Sequence, residues 1–60
     1  MTNEEVVQYL ADGRSVKEIS EITGVKVRTI EGKIARMKYR TFSFTAAQLV
    51  ANYLRKGLIK

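Results

Sequence analysis

Residues 20–30 read SEITGVKVRTI. Two apolar, helix-like stretches meet at one glycine, and a lysine and an arginine follow just beyond it. A chain of 60 residues has little length to spare, so the tight corner and the positive charge have to be read together. Gly24 can adopt the positive φ that turns a chain sharply without the Cβ clash other residues suffer. Upstream, Ser15-Val16-Lys17-Glu18 forms a capping box, in which a hydroxyl residue and a Glu three places on satisfy each other's end-of-helix donors. It predicts a helix from Val16 to Ile22 or Thr23 that buries Ile19 and Ile22. Downstream, a helix beginning near Val27 shows apolar positions at Val27, Ile30, Ile34 and Met37, the recurrence of one helical face.

The same signals extend outward. Thr2-Asn3-Glu4-Glu5 is a second capping box, opening a helix expected over Asn3 to Ala11 that buries Val6, Val7 and Leu10 and stops at Asp12-Gly13. Thr45-Ala46-Ala47-Gln48 is a third, with Phe44 before the cap and Leu49 inside it at the spacing of a hydrophobic staple. A fourth helix follows from Ala46 to about Lys56, with Leu49, Val50, Tyr53 and Leu54 as its stripe. Gly57 ends it, and Leu58 and Ile59 are expected to fold back onto the core. The chain has no Pro and four Gly, and no linker-like stretch. An all-α, four-helix single domain over residues 1–60 is the expected fold.

Composition narrows the function. Without Cys or His, thiol chemistry, disulfides, the usual zinc sites and the commonest general base are excluded. Glu4 and Glu5 are adjacent and diverge, and Glu18 and Glu21 share a helix face without a pocket, so an enzyme is not expected and no cofactor is implied. No apolar run approaches the ~20 residues of a membrane span, and the expectation is a cytoplasmic, nucleoid-associated protein. The net charge is +5 and the pI about 9.9, unevenly distributed. Residues 1–25 carry Glu4, Glu5, Asp12, Glu18 and Glu21 against Arg14 and Lys17. Residues 26–40 carry Lys26, Arg28, Lys33, Arg36, Lys38 and Arg40 against Glu31 alone. That second segment holds an excess equal to the whole net charge, which points to a polyanionic partner.

Projected at 100° per residue, the third helix puts Arg28, Gly32, Ala35, Arg36 and Tyr39 opposite its apolar side, with Lys26, Thr29, Lys33 and Arg40 along one flank. The exposed face is small in its middle and cationic at its edges. Gly32 inside a helix costs about 1 kcal/mol relative to Ala. Either it is incidental on a solvated basic face, or it lets the backbone approach another surface while Arg28, Lys33 and Arg36 reach sideways. The major groove of B-DNA, about 12 Å wide, fits the second description. A short helix, a glycine turn and a second helix bearing that face make the helix-turn-helix arrangement. Ile19, Val25 and Ile30 fall where it needs apolar contacts, and Ser20 is small where the helices cross.

Glu5-Val6, the stretch Ala11-Asp12-Gly13-Arg14-Ser15-Val16-Lys17-Glu18-Ile19, then Gly24-Val25, Arg28-Thr29-Ile30, Met37 and the ending Arg55-Lys56-Gly57-Leu58-Ile59 resemble the LuxR/GerE-type helix-turn-helix domain of bacterial transcription regulators. The match runs without gaps over almost the whole chain. The resemblance implies a four-helix fold, a recognition helix over about residues 26–39 that binds the major groove, and dimerisation through the fourth helix. It also implies that Lys17 touches phosphate and that Thr29 lies near the DNA backbone. Glu31 and Lys33 depart from the family's usual lysine and histidine, and Lys26 stands where a serine usually caps the helix. Its amide end is thereby left for a phosphate. Lys38, Thr41 and Phe42 stand in place of a Leu, a Leu and a Gly, so the connection to the fourth helix is expected to repack around Phe42 and Phe44.

The candidate DNA-binding residues are therefore Lys17, Lys26, Arg28, Thr29, Gly32, Lys33, Arg36 and Arg40. Ala47 and Ala51, small and four apart on the side of helix 4 away from Leu49 and Leu54, are candidate dimer contacts or ordinary exposed alanines. Glu31 either reads a cytosine amino group or pairs along the helix with Arg28 or Lys38. Tyr39 with Arg40 either clamps phosphate or sits partly buried at a helix end. Phe42 and Phe44 are read as core, with stacking on single-stranded bases as the alternative; Tyr9 and Tyr53 are read as core. The expected function is a sequence-specific double-stranded DNA-binding regulator, a homodimer on paired half-sites. The rivals are a module that docks on RNA polymerase or another regulator, and a viral DNA-processing accessory protein.

Overall fold

A computed structural model describes all 60 residues. It contains α1 (Asn3–Ala11), α2 (Val16–Thr23), α3 (Val27–Arg40) and α4 (Ala46–Arg55), and no strand. Two of the three expected capping boxes close fully. Thr2 Oγ1 accepts from the Glu5 amide at 3.1 Å while Glu5 Oε1 accepts from the Thr2 amide at 2.8 Å. Ser15 and Glu18 repeat the exchange at 3.1 and 3.0 Å. The third closes by half. Thr45 Oγ1 accepts from the Gln48 amide, but Gln48 Oε1 accepts from the Phe44 amide at 2.7 Å instead of from Thr45. The cap backbone explains the difference: φ is −131° at Thr45 against −82° at Thr2 and −78° at Ser15, which turns the Thr45 amide away.

α1 packs mainly on α4 and α2 mainly on α3, and α3 also reaches α1 and α4. The shared core is Val6, Val7, Ile19, Ile30, Ile34, Met37, Leu49, Tyr53 and Ile59, with Tyr9, Leu10, Val16, Val25 and Val50 half-buried around it. Every helix contributes to one cluster, so no pair of helices has an independent core. The chain after α4 turns at Gly57 and seats Ile59, and the Lys60 amide donates to Gln8 Oε1 of α1 at 3.0 Å. Leu58 stays half in water, so only Ile59 of the expected pair makes the apolar contact.

Three apolar positions expected on the buried faces of the helices lie outside the core. Ile22 is 53% exposed. At 3.6 residues per turn, Val16, Ser20 and Thr23 fall on one side of Ile19 and Ile22 on the other, and the first side faces the core. Leu54 is exposed because it follows Ala51 by three residues and Ala47 by seven, which places it on their face of α4 and not with Leu49. Val27, in the first turn of α3, is also exposed.

The α2–α3 turn is made at Gly24. Gly24 has φ +75° and donates its amide to the Ser20 carbonyl at 2.8 Å. Thr23 Oγ1 bonds the Ile19 carbonyl at 2.7 Å and accepts from the Val25 amide at 3.2 Å, so the turn is tied to the helix it leaves.

The α3–α4 corner departs from expectation. Phe42 and Phe44 are 85% and 86% exposed, so the corner does not repack around them, and Phe44 makes no staple with the fully buried Leu49. What fills the corner is polar. Ser43 is buried, and its Oγ meets Asn52 Nδ2 at 2.8 Å and Thr41 Oγ1 at 2.6 Å, while Thr41 Oγ1 donates to the Met37 carbonyl at 2.8 Å. With Ser43 inside and held by the half-buried Thr41 and Asn52, the flanking rings point out.

Candidate nucleic-acid interface

α3 presents the charged face anticipated for it. Arg28, Thr29, Ala35, Arg36, Tyr39 and Arg40 are exposed, and Gly32, Lys33 and Lys38 are half-buried. Arg14–Glu18, 3.5 Å apart, is the one ion pair in the chain, so Lys26, Arg28, Lys33, Arg36, Lys38 and Arg40 are all free of carboxylate partners. Glu31, the one acid among them, is exposed and pairs with neither Arg28 nor Lys38. Cations left unpaired on one helix produce a concentrated positive field.

At the start of that helix, Lys26 occupies the N-cap position with no side-chain capping bond, whereas Thr2, Ser15 and Thr45 cap the other three helices. The Lys26 carbonyl accepts from the Thr29 and Ile30 amides at 3.0 and 3.1 Å. The amides of Val27 and Arg28 have no partner. Exposed donors there and the Lys26 ammonium form a positive end to the helix.

Gly32 sits in regular helix with open space where a Cβ would point, nothing lying within 4 Å. The fold therefore has no local need for glycine at this position. Lys17 is exposed in the first turn of α2, apart from the ion pair of its neighbours Arg14 and Glu18. On α4, Ala47 is exposed and Ala51 half-buried, and the exposed Leu54 joins them.

The other acids lie elsewhere. Glu5 and Glu18 are held below the ordinary carboxyl range, chiefly by the backbone amides of Thr2 and Ser15. Glu5 and Asp12 line an open hollow on α1 with Gln8 and Tyr9, about 220 Å³ in volume. Burial pushes the Tyr53 hydroxyl up, with the Glu4 charge adding and Arg40 opposing. Tyr53 is a core residue, and Tyr9 is half-buried against the core.

Three aromatic residues lie on the surface, two of which, Phe42 and Phe44, are expected in the core from the sequence. Tyr39 is 86% exposed and lies on the cationic face, not partly buried at the helix end. Phe42 and Phe44 join it around a hollow of about 530 Å³ that Lys38, Arg40 and Ser43 complete. One sequence signal marks the place: an aromatic stands where the chain leaving a helix usually has glycine. No helix is long and apolar enough to cross a membrane. Comparison of the chain with protein-family models, with curated proteins and with solved structures finds no match.

Proposed function

We propose that this chain is a sequence-specific double-stranded DNA-binding regulator of transcription, of the LuxR/GerE-like kind, that docks α3 in the major groove. The observation that carries the proposal is the set of cations on and beside α3, none paired with a carboxylate, surrounding a middle of Gly32 and Ala35. A helix with its side chains is about 10–12 Å across, which matches a groove about 12 Å wide, and small residues at the centre let the backbone sit deep. Arg28, Lys33 and Arg36 then reach base edges. Lys17, Lys26, Thr29 and Arg40 meet phosphates, Lys26 together with the unpartnered amides of the α3 start. Phosphate contacts set affinity and register, and base contacts set preference. A second copy would associate through Ala47, Ala51 and Leu54 on α4, giving a two-fold site in the nucleoid.

Selection from a randomised duplex pool at near-physiological salt, repeated with the Arg28→Ala/Arg36→Ala variant, tests the reading. It predicts an enriched motif with two-fold symmetry that the variant loses. If the wild type enriches nothing, α3 is not a reading helix, and docking on a protein of the transcription machinery takes its place.

A further inference from the structure

Phe42 is the one non-glycine residue with a positive φ, +55°. It stands in a helix-terminating motif that this chain builds three times. After α1, the amides of Gly13 and Arg14 donate back to the carbonyls of Leu10 and Tyr9, both at 3.0 Å. After α4, the amides of Gly57 and Leu58 donate to Leu54 and Tyr53, again at 3.0 Å. After α3, the amides of Phe42 and Ser43 donate to Tyr39 and Lys38 at 3.4 and 2.8 Å. Two of the three motifs hold glycine at the left-handed position, where a Cβ is penalised; the third holds a phenylalanine whose ring is 85% exposed. Within the monomer, Phe42 bears backbone strain and gains almost no burial for it. Bulky residues in this region are genuine outliers and gather at binding sites.

The surroundings supply a ligand chemistry. Tyr39, Phe42 and Phe44 line one open hollow with Lys38 and Arg40. No acid lines it, and neither cation has a carboxylate partner. Ser43, the remaining lining residue, has its hydroxyl engaged by Thr41 and Asn52. The hollow therefore offers ring faces and positive charge and few fixed polar groups for reading an edge. A second copy docking here symmetrically would bring Lys38 and Arg40 against themselves. Tyr39 and Arg40 also belong to the cationic face of α3, so one polyanion lying on α3 reaches the hollow without a break.

We infer that the α3–α4 corner stacks unpaired nucleic-acid bases, with Phe42, Phe44 and Tyr39 as the platform and Lys38 and Arg40 on the flanking phosphates. Aromatic faces and free cations in one groove are the means of sequence-tolerant single-strand binding. The placement rests on α3 facing nucleic acid, but the stacking itself can be measured separately. The corner would direct the protein to duplex that adjoins a melted or single-stranded segment.

Fluorescence anisotropy with three probes separates the two surfaces: a blunt duplex, the same duplex with an oligo-dT overhang, and free oligo-dT of about twelve nucleotides, within the usual range of single-strand site sizes. Wild type is expected to bind the overhang duplex more tightly than the blunt one, and to bind oligo-dT. Phe42→Ala/Phe44→Ala should lose about tenfold on oligo-dT, as expected for lost stacking, together with the overhang increment, and keep blunt-duplex affinity. Arg28→Ala/Arg36→Ala should do the reverse. Phe42→Gly keeps the backbone conformation and removes the ring, so it reports the ring where the double variant folds poorly. Failure of oligo-dT to bind the wild type, or equal binding by the wild type and both Phe variants, would overturn the stacking site. So would Phe variants that lose only dimerisation or only the capture of an acidic peptide. Loss of blunt-duplex binding alone would count against α3 and leave the corner standing.

Discussion

Asn52 donates from Nδ2 to Ser43 Oγ at 2.8 Å, joining α4 to the corner nine residues before it. The bond orients everything beyond it. The one hydroxyl proton of Thr41 goes to the Met37 carbonyl, so Ser43 must donate to Thr41, and its oxygen is left to accept from Asn52. The result is a directed relay from α4 through the corner to the last turn of α3. It satisfies the buried Ser43 hydroxyl and over-determines the backbone on both sides of Phe42.

Removing the head of the relay should be costly. Asn52→Ala leaves a buried Ser43 acceptor without its donor and is expected to destabilise the fold by about 1–3 kcal/mol. A small domain of this length holds only about 3–5 kcal/mol, so urea denaturation should show a large fall in midpoint. An unchanged midpoint would mean that the relay does not hold the corner.

Phe42→Gly should act in the opposite sense. Relief of the left-handed strain is worth about 1 kcal/mol, offset in part by the added freedom of the unfolded chain. The melting temperature is expected to rise by a few degrees. Gly57→Ala, at the equivalent position after α4 where φ is +70°, should lower it.

Gly32→Ala separates stability from binding. The site has room for a methyl group, and alanine is favoured in a helix interior by about 1 kcal/mol, so thermal stability should rise. If α3 approaches the groove floor at Gly32, duplex affinity should fall in the same variant. Equal affinity would place the closest approach elsewhere on the helix.

Salt dependence distinguishes the phosphate contacts from the base contacts. Lys26→Ala should weaken binding to all duplexes alike and reduce the slope of log K against log salt by about 1. Arg36→Ala should instead narrow the gap between the selected and random sequences by about 1–3 kcal/mol. Titrations at several salt concentrations on both duplexes read the two effects.

Acid should weaken the fold through the capping boxes. Glu5 and Glu18 have carboxyls held below their ordinary value of 4.5, so the unfolded chain binds protons more readily than the native one. The stability they contribute is present above that pH and is lost as pH falls through the lowered native values. The urea midpoint should be flat near neutrality and drop below pH about 4.5, and Glu5→Gln/Glu18→Gln should drop less.

The sequence by itself determined the four helices and their starts. Capping boxes, glycine stops and 3.6-residue periodicity are set within a few residues of chain, so α1, α2 and α4 begin where Thr2, Ser15 and Thr45 announce them, and α3 begins at Val27 where its apolar face does. The charge segregation onto α3 was equally legible, since it needs only the count along the chain and the helical wheel. Tertiary structure alone decided which apolar residues are covered. Ile22 satisfies helical periodicity, yet it lies on the side of α2 with no neighbour to receive it. Phe42 and Phe44 read as core because aromatics beside a cap usually are, but Ser43, tied to the half-buried Asn52 nine residues on, occupies the interior of that corner. A hydrogen-bonded pair at that separation leaves no local periodic signal, and so the exposure of the rings could be seen only once the helices were packed.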